Sequence, residues 1–275
     1  MNVLQTTPRR TNTGILTETG GSTHGDLEEQ GIAGGEKFEE RNLAGELLSF
    51  RFGETVIRVQ PPLRDAEEGD ALFSDPFDDD GPEYDDTGLF GAWPASVVLC
   101  RFLHQHPALI KQRRVLELGC GAGLPSLLCA QLGASHTLST DRNEEVVQRV
   151  LEAQHLASVG AELASAQRLD WAEPQHLVQL VQQASIQLLI ASDLVYPMSD
   201  QGPLMRSLRA VRESHPAVGI VMSVACRESR THQLFLQNMR ELGGTLQELS
   251  SDCELDPLYG RVPVKIYQVC ESDSS

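Results

Sequence analysis

One β-rich run, RVLEL (114–118), passes directly into the glycine loop Gly119-Cys120-Gly121-Ala122-Gly123 and then into a helical stretch. The pattern of a short strand, a tight turn and a helix continues along the rest of the chain. Further strands are predicted at HTLST (136–140), SAQRL (165–169), IQLLIAS (186–192) and VGIVMSV (218–224). Helices are predicted at about 124–132, 143–158, 174–183, 200–214 and 228–242. Strands that alternate with helices through short links fold as a mostly parallel, doubly wound α/β sheet, with ligands beyond the carboxyl ends of the strands. Two last runs, TLQEL (245–249) and VPVKIYQV (262–269), read as a closing antiparallel pair. The unit is not repeated, so one such domain is expected, over residues 93–275.

The first third of the chain is different. Residues 1–42 are rich in Gly, Thr and Glu without sustained periodicity and are expected to form a flexible acidic arm. Residues 43–92 read as a small β extension and an acidic linker. LLSFRFGETVIRVQ (47–60) has two strands turning near Gly53, and 65–88 is dense in Asp and Glu. Residues 1–92 carry 20 acidic and 7 basic side chains of a chain whose formal net charge is −17. Such an arm repels phosphate backbones, so no nucleic-acid partner is expected; the arm reads as a solvated tail or as a contact for a basic surface. No apolar run approaches the ~20 residues that span a bilayer, and the amino terminus lacks the apolar core of a secretion signal. A cytoplasmic protein, with a nuclear location open, is expected. The six cysteines and eight histidines show no metal-ligand spacing, so no metal is expected. Cys100, Cys129 and Cys226 lie in apolar runs and are expected in the core.

The glycine loop is the candidate cofactor site. Glycines at 119, 121 and 123 allow a tight turn and a close approach by a ligand, and the following helix N-terminus offers free N–H groups. The spacing is GxGxG, unlike the GxGxxG that seats a pyrophosphate. Glu117, two residues before the first glycine, suits a cationic ligand better than an anionic one. Asp141, at the end of the second strand, stands where an acid grips ribose hydroxyls. The competing expectation is that Glu117 and Asp141 only cap neighbouring helices.

Four pieces, in order, resemble the seven-strand "family 16" protein-lysine methyltransferases over about residues 88–270. They are TGLFGAWPAS (87–96), LELGCGAGLPS (116–126), Asp170-Trp171 and Asp193-Leu194-Val195-Tyr196, the last similar to that family's DxxY signature. The resemblance implies a Rossmann-like seven-strand class I methyltransferase sheet, mostly parallel with an antiparallel C-terminal hairpin, and S-adenosylmethionine as cofactor. By that resemblance Trp93 would help to enclose the cofactor. Gly119, Gly121 and Gly123 would line its methionine and adenosyl parts, and Asp141 would bind ribose. Asp170 would bond the adenine amino edge, Trp171 would pack on the adenine face, and Ala191 would lie beside the cofactor. Trp93 and Trp171 also suit core anchors, and Tyr196-Pro197 a plain loop-to-helix junction.

The same resemblance implies a lysine of a protein as acceptor, in elongation factors, chaperones and similar proteins. Asp193 would orient the amine by accepting its hydrogen bond, and Tyr196 would offer an aromatic face or a hydroxyl acceptor. Methylation of a small amine or of protein histidine, and a non-catalytic binding module, remain open. Substrate choice is expected in the N-terminal extension and in the loops of the last hairpin, DCELDPLYGRVP (252–263). The turn MSVACRESR (222–230) contains Arg227 and Arg230, to which the sequence assigns no target.

Overall fold

The computed structural model describes residues 47–61, 92–195, 201–256 and 260–270. Apolar alternation along the central strands divides the core into two faces. In β3 (Arg114–Leu118) Val115 belongs to one cluster and Leu116 to the other. Likewise Leu188 and Leu189 separate in β6 (Leu188–Ser192), and Val221 and Ile220 in β7 (Gly219–Ala225). A strand whose successive side chains alternate and are all apolar is buried on both faces, as a parallel sheet requires. Helices α1 (Pro94–Gln105) and α2 (Leu124–Gln131) cover the first face. The second is covered by α4 (Pro174–Gln183), α5 (Gly202–Ser214) and α6 (Ser229–Arg240).

The remaining elements complete one seven-stranded sheet. They are β4 (His136–Asp141), α3 (Glu144–Leu156), β5 (Ala164–Arg168), β8 (Thr245–Asp256) and β9 (Gly260–Cys270). The strand order is β5-β4-β3-β6-β7-β9-β8. The first five positions are parallel, and β9 is antiparallel to both β7 and β8. This is the Rossmann-like seven-strand arrangement that the resemblance implied, mostly parallel with an antiparallel C-terminal hairpin. From β3 the chain winds outward to β4 and β5, then returns to place β6 on the other side of β3. The order therefore reverses between β3 and β6, and a ligand crevice opens beyond their carboxyl ends.

Two expectations need correction. The segment 252–263 was expected as loop, yet β8 pairs with β9 from Thr245↔Cys270 out to Asp256↔Gly260, with an irregularity between Glu248 and Ser250. These outer arms are too polar to read as strands, and cross-strand pairing holds them. Arg101 of α1 pairs with Asp252 at 3.1 Å and with Glu254, tying the hairpin to the helix layer. Cys226, expected in the core, is only half-buried beyond the end of β7, whereas Cys100 and Cys129 are buried.

Upstream, β1 (Leu48–Phe52) and β2 (Thr55–Val59) form the expected antiparallel hairpin, turning at Gly53 with φ 56°. It is less separate than an extension. Phe50, Phe52, Ile57 and Val59 are buried in the same cluster as α1 and α2. Gln60 donates to Glu152 of α3 at 3.2 Å, and Arg149 donates to the Pro61 carbonyl. The flexible arm and acidic linker expected at 1–42 and 65–88 lie outside the described residues. Because Ile57 is 1% exposed, Ile57→Ala should destabilise the whole domain by about 2–5 kcal/mol. Urea unfolding followed by circular dichroism checks this; a change confined to a few tenths would show that the hairpin is not part of the core.

Candidate active site

The glycine loop is fixed from both sides. Gly119 has φ 57°, and a Cβ there would run into Leu194 Cδ2 and lie 3.1 Å from Trp171 Cζ3. Gly123, with φ 72°, sits at the N-cap of α2, where a Cβ would come within 3.0 Å of Val150. These are positions that only glycine fills without displacing its neighbours. The loop is pinned to β4 by backbone and side-chain bonds. The Cys120 N–H donates to the Thr140 carbonyl at 2.9 Å, and Thr140 Oγ1 donates to the Glu117 carbonyl at 2.7 Å.

The two acids bracket this turn. Glu117 is 1% exposed, and its Oε2 accepts from the Ser126 N–H at 3.0 Å and from Ser126 Oγ. It thus does bond the first turn of α2, as the capping alternative anticipated. Its Oε1 is also buried, with no hydrogen-bond partner among the described residues. Burial pushes its carboxyl up to about 8, against the opposing effect of the Ser126 bonds. Asp141 Oδ2 accepts from Gly121 N–H at 3.2 Å, and Oδ1 from Asn143 N–H at 3.0 Å. Burial raises its carboxyl too, opposed by those backbone bonds. The cap of α3 is Asn143 rather than Asp141, since Asn143 accepts from the Glu145 N–H.

The residues after β5 reach the same end of the sheet. Trp171 lies against Gly119, and its carbonyl accepts from Ser207 Oγ of α5. Asp170 is half-buried, and its Oδ1 accepts from Ala172 N–H at 2.8 Å. Ala191 is buried in β6, opposite Leu118 in the register.

Beyond Ala191 the chain turns sharply at Asp193, a non-glycine residue with φ 59° whose N–H donates to the Ser223 carbonyl at 3.0 Å. Its carboxylate meets a partner that the sequence did not anticipate. Arg227 Nη1 and Nη2 donate to the two Asp193 carboxylate oxygens at 2.7 and 2.6 Å. Both side chains are 4% exposed. The guanidinium also lies 5.5 Å from the centroid of the Trp93 ring. Trp93 is the N-cap residue of α1, and its carbonyl accepts from Ser96 N–H and Oγ. Arg227 is the residue of this group that sequence reasoning left without a target. The available signal was its place as the first charged residue after the apolar β7 run, at the ligand end of the sheet. Tyr196 lies outside the described residues. Among the described residues no group of His, Cys, Asp and Glu could hold a metal.

A family model described as "Lysine methyltransferase" matches residues 85–242. The chain belongs to this lysine methyltransferase family. It is 30% identical over 165 residues to protein N-lysine methyltransferase METTL21A of Danio rerio, covering 60% of this chain and 72% of that protein. It is 28% identical over 158 residues to protein-lysine N-methyltransferase EFM3 of Chaetomium thermophilum, covering 54% and 46%. It is 30% identical over 178 residues to protein-lysine N-methyltransferase EEF2KMT of Homo sapiens, covering 58% and 52%. The matches thus span about half the length of the EFM3 and EEF2KMT relatives. The sheet also superposes on a solved Streptococcus mutans structure ascribed to the SAM-dependent methyltransferases. Its TM-score is 0.51, with 13% identity and coverage of 86% of this chain and 57% of that one.

Glu117 generates a pH signature. Between the ordinary glutamate value of ~4.3 and about 8 the folded protein holds a proton that the unfolded chain has lost. Stability from this group is therefore fully present below the lower value and is lost as pH rises to the upper one, by at most about 1.4 kcal/mol per pH unit. Glu117→Gln should flatten that fall, so the variant gains on the wild type across the window. Urea midpoints measured at several pH values check it; parallel curves would overturn the assignment.

Proposed function

We propose that this chain transfers a methyl group from S-adenosylmethionine to a lysine amine of a protein substrate. The observation that carries the reading is the glycine cradle at the β3/β6 reversal. It is walled by Trp171 and Leu194, follows directly on a buried carboxylate with an oxygen unpartnered among the described residues, and is bordered by the Asp193–Arg227–Trp93 group. The family to which the chain belongs points the same way. The residues suit the cofactor. A Cβ at Gly119 would collide with the wall, and Glu117 Oε1 and Asp141 offer acceptors to a ligand carrying an ammonium, a sulfonium and ribose hydroxyls.

In this reading Glu117 faces the cationic amino-acid part, Asp141 holds the ribose, and Asp170 and Trp171 hold the adenine by its amino edge and its face. Trp93 encloses the methyl end. When bound, the cofactor supplies an electrophilic methyl group on a sulfonium. The protein's main task is then alignment, since in-line displacement gains most from holding nucleophile and methyl in contact. A lysine must arrive neutral although its free pKa is ~10.4; an apolar channel lowers that value. Asp193, held by Arg227, serves to orient the amine and does not act as a strong base. Tyr196, the second DxxY member, is the other candidate for that task. A protein acceptor is favoured because the relatives named above are protein-lysine methyltransferases.

Two measurements test this. Incubating lysate and the full chain with radiolabelled S-adenosylmethionine should label a discrete protein band; a labelled small metabolite, or no enzyme-dependent product, would overturn the acceptor assignment. Isothermal titration should show S-adenosylhomocysteine binding that Gly121→Arg abolishes, because Gly121 has φ 48° and donates its N–H to Asp141. Unchanged binding by a folded Gly121→Arg would remove the loop from the site.

A further inference from the structure

We propose that Arg227 is a positioning residue for methyl transfer: its fork on Asp193, laid over Trp93, presents the acceptor amine with an oriented carboxylate whose charge is already balanced. This rests on the transferase reading above. The geometry is specific. Two N–H groups of one guanidinium meet two oxygens of one carboxylate at 2.7 and 2.6 Å, with both side chains nearly sealed from solvent. A planar fork of this kind fixes the carboxylate plane, which a lysine at the same place would not do. The pair joins three separate elements at the ligand end of the sheet: the turn after β6, the turn after β7, and the start of α1 through Trp93. Asp193 holds a left-handed backbone conformation, φ 59°, and Leu194 beside it packs against the Gly119 position.

Balancing the charge serves the chemistry. An unpaired carboxylate beside a lysine stabilises the ammonium, which has no lone pair to attack with. A carboxylate already paired with arginine can still accept a hydrogen bond, yet offers no net charge to hold the amine's proton. In the transfer the nitrogen lone pair forms the new N–C bond, the C–S bond breaks with its electrons passing to sulfur, and the product amine gives its proton to solvent.

Without the guanidinium the uncompensated carboxylate would hold the amine's proton to higher pH, which moves the acid limb of the rate profile upward. Among the described residues, Cys226, which burial holds up at about 11, feels the charges of Asp193 and Arg227 and also those of Glu248 and Lys265, which pair at 3.0 Å; Glu228 adjoins Arg227 in the chain. His232 lies further along α6, hydrogen-bonded to Tyr267 at 2.8 Å and lowered by burial.

The experiment uses the full chain as wild type, Arg227→Lys and Arg227→Gln. The initial rate of protein labelling in lysate with radiolabelled S-adenosylmethionine is followed from about pH 6 to about pH 9, and S-adenosylhomocysteine affinity is measured by titration calorimetry. Arg227→Gln is expected to label about tenfold or more slowly at neutral pH, with affinity within about threefold and the acid limb moved up by about one unit. Arg227→Lys, keeping the charge but not the fork, is expected to keep the wild-type limb at a reduced rate. If Arg227→Gln does not fold, Arg227→Lys decides: the wild-type limb at reduced rate supports the proposal, and a full rate overturns it. A full rate in Arg227→Gln, or equal loss in both variants with no movement of the limb, overturns it as well. A wild type that labels nothing removes the transferase reading itself, which distinguishes that failure from a labelled wild type with an indifferent Arg227.

Discussion

The parallel pairing of β3 with β6 is the constraint on which the site depends. Their register sets Leu118 opposite Ala191, so the glycine loop that leaves one strand and the Asp193 turn that leaves the other emerge side by side. Neither turn alone would make a crevice. The pairing requires the chain to wind out through β4 and β5 and return, which places the strand-order reversal there. Everything else adjusts to it: β4 brings Asp141 to the Gly121 N–H, the segment after β5 brings Trp171 to Gly119, and β7 brings Arg227 to Asp193.

The central strands were legible in the sequence because a strand buried on both faces is mostly apolar, and RVLEL, IQLLIAS and VGIVMSV have that signature, broken in the first by the buried Glu117. The outer arms of the last hairpin were not, because Asp252, Glu254 and Arg261 resemble loop residues. What makes them strand is pairing across the hairpin and to Arg101, which no local pattern encodes. The first hairpin was read correctly as two strands. The surface it meets was hidden, since the alternation of Phe50, Phe52, Ile57 and Val59 says that a face is buried and not against what.

The site was legible to different depths. The glycines could be placed from spacing because their constraint is local: a turn, and a missing Cβ. Glu117 carried two expectations, a bond to the following helix and a ligand contact. The structure makes room for both, one oxygen on Ser126 and the other without a partner. Arg227 lies 34 residues from Asp193, in a turn with no motif, so its role appears only when β6 and β7 are side by side.

Two of the carboxylates at this end of the sheet, Glu117 and Asp193, have their charge handled in opposite ways. Glu117 is disfavoured as an anion by burial and keeps an unpaired oxygen, so a cationic ligand would both satisfy that oxygen and draw off its proton. Its charge state therefore responds to occupancy. Asp193 has its counter-ion built into the chain, so its charge is balanced before any acceptor arrives. The distinction fits two tasks that differ in kind. A cofactor bearing permanent positive charge is well served by an acid that ionises on its arrival. An amine that must shed its proton before it reacts is better served by a carboxylate that orients it without competing for that proton. The fold achieves this with one difference in the turn chemistry: a serine hydroxyl facing the first acid and a guanidinium facing the second.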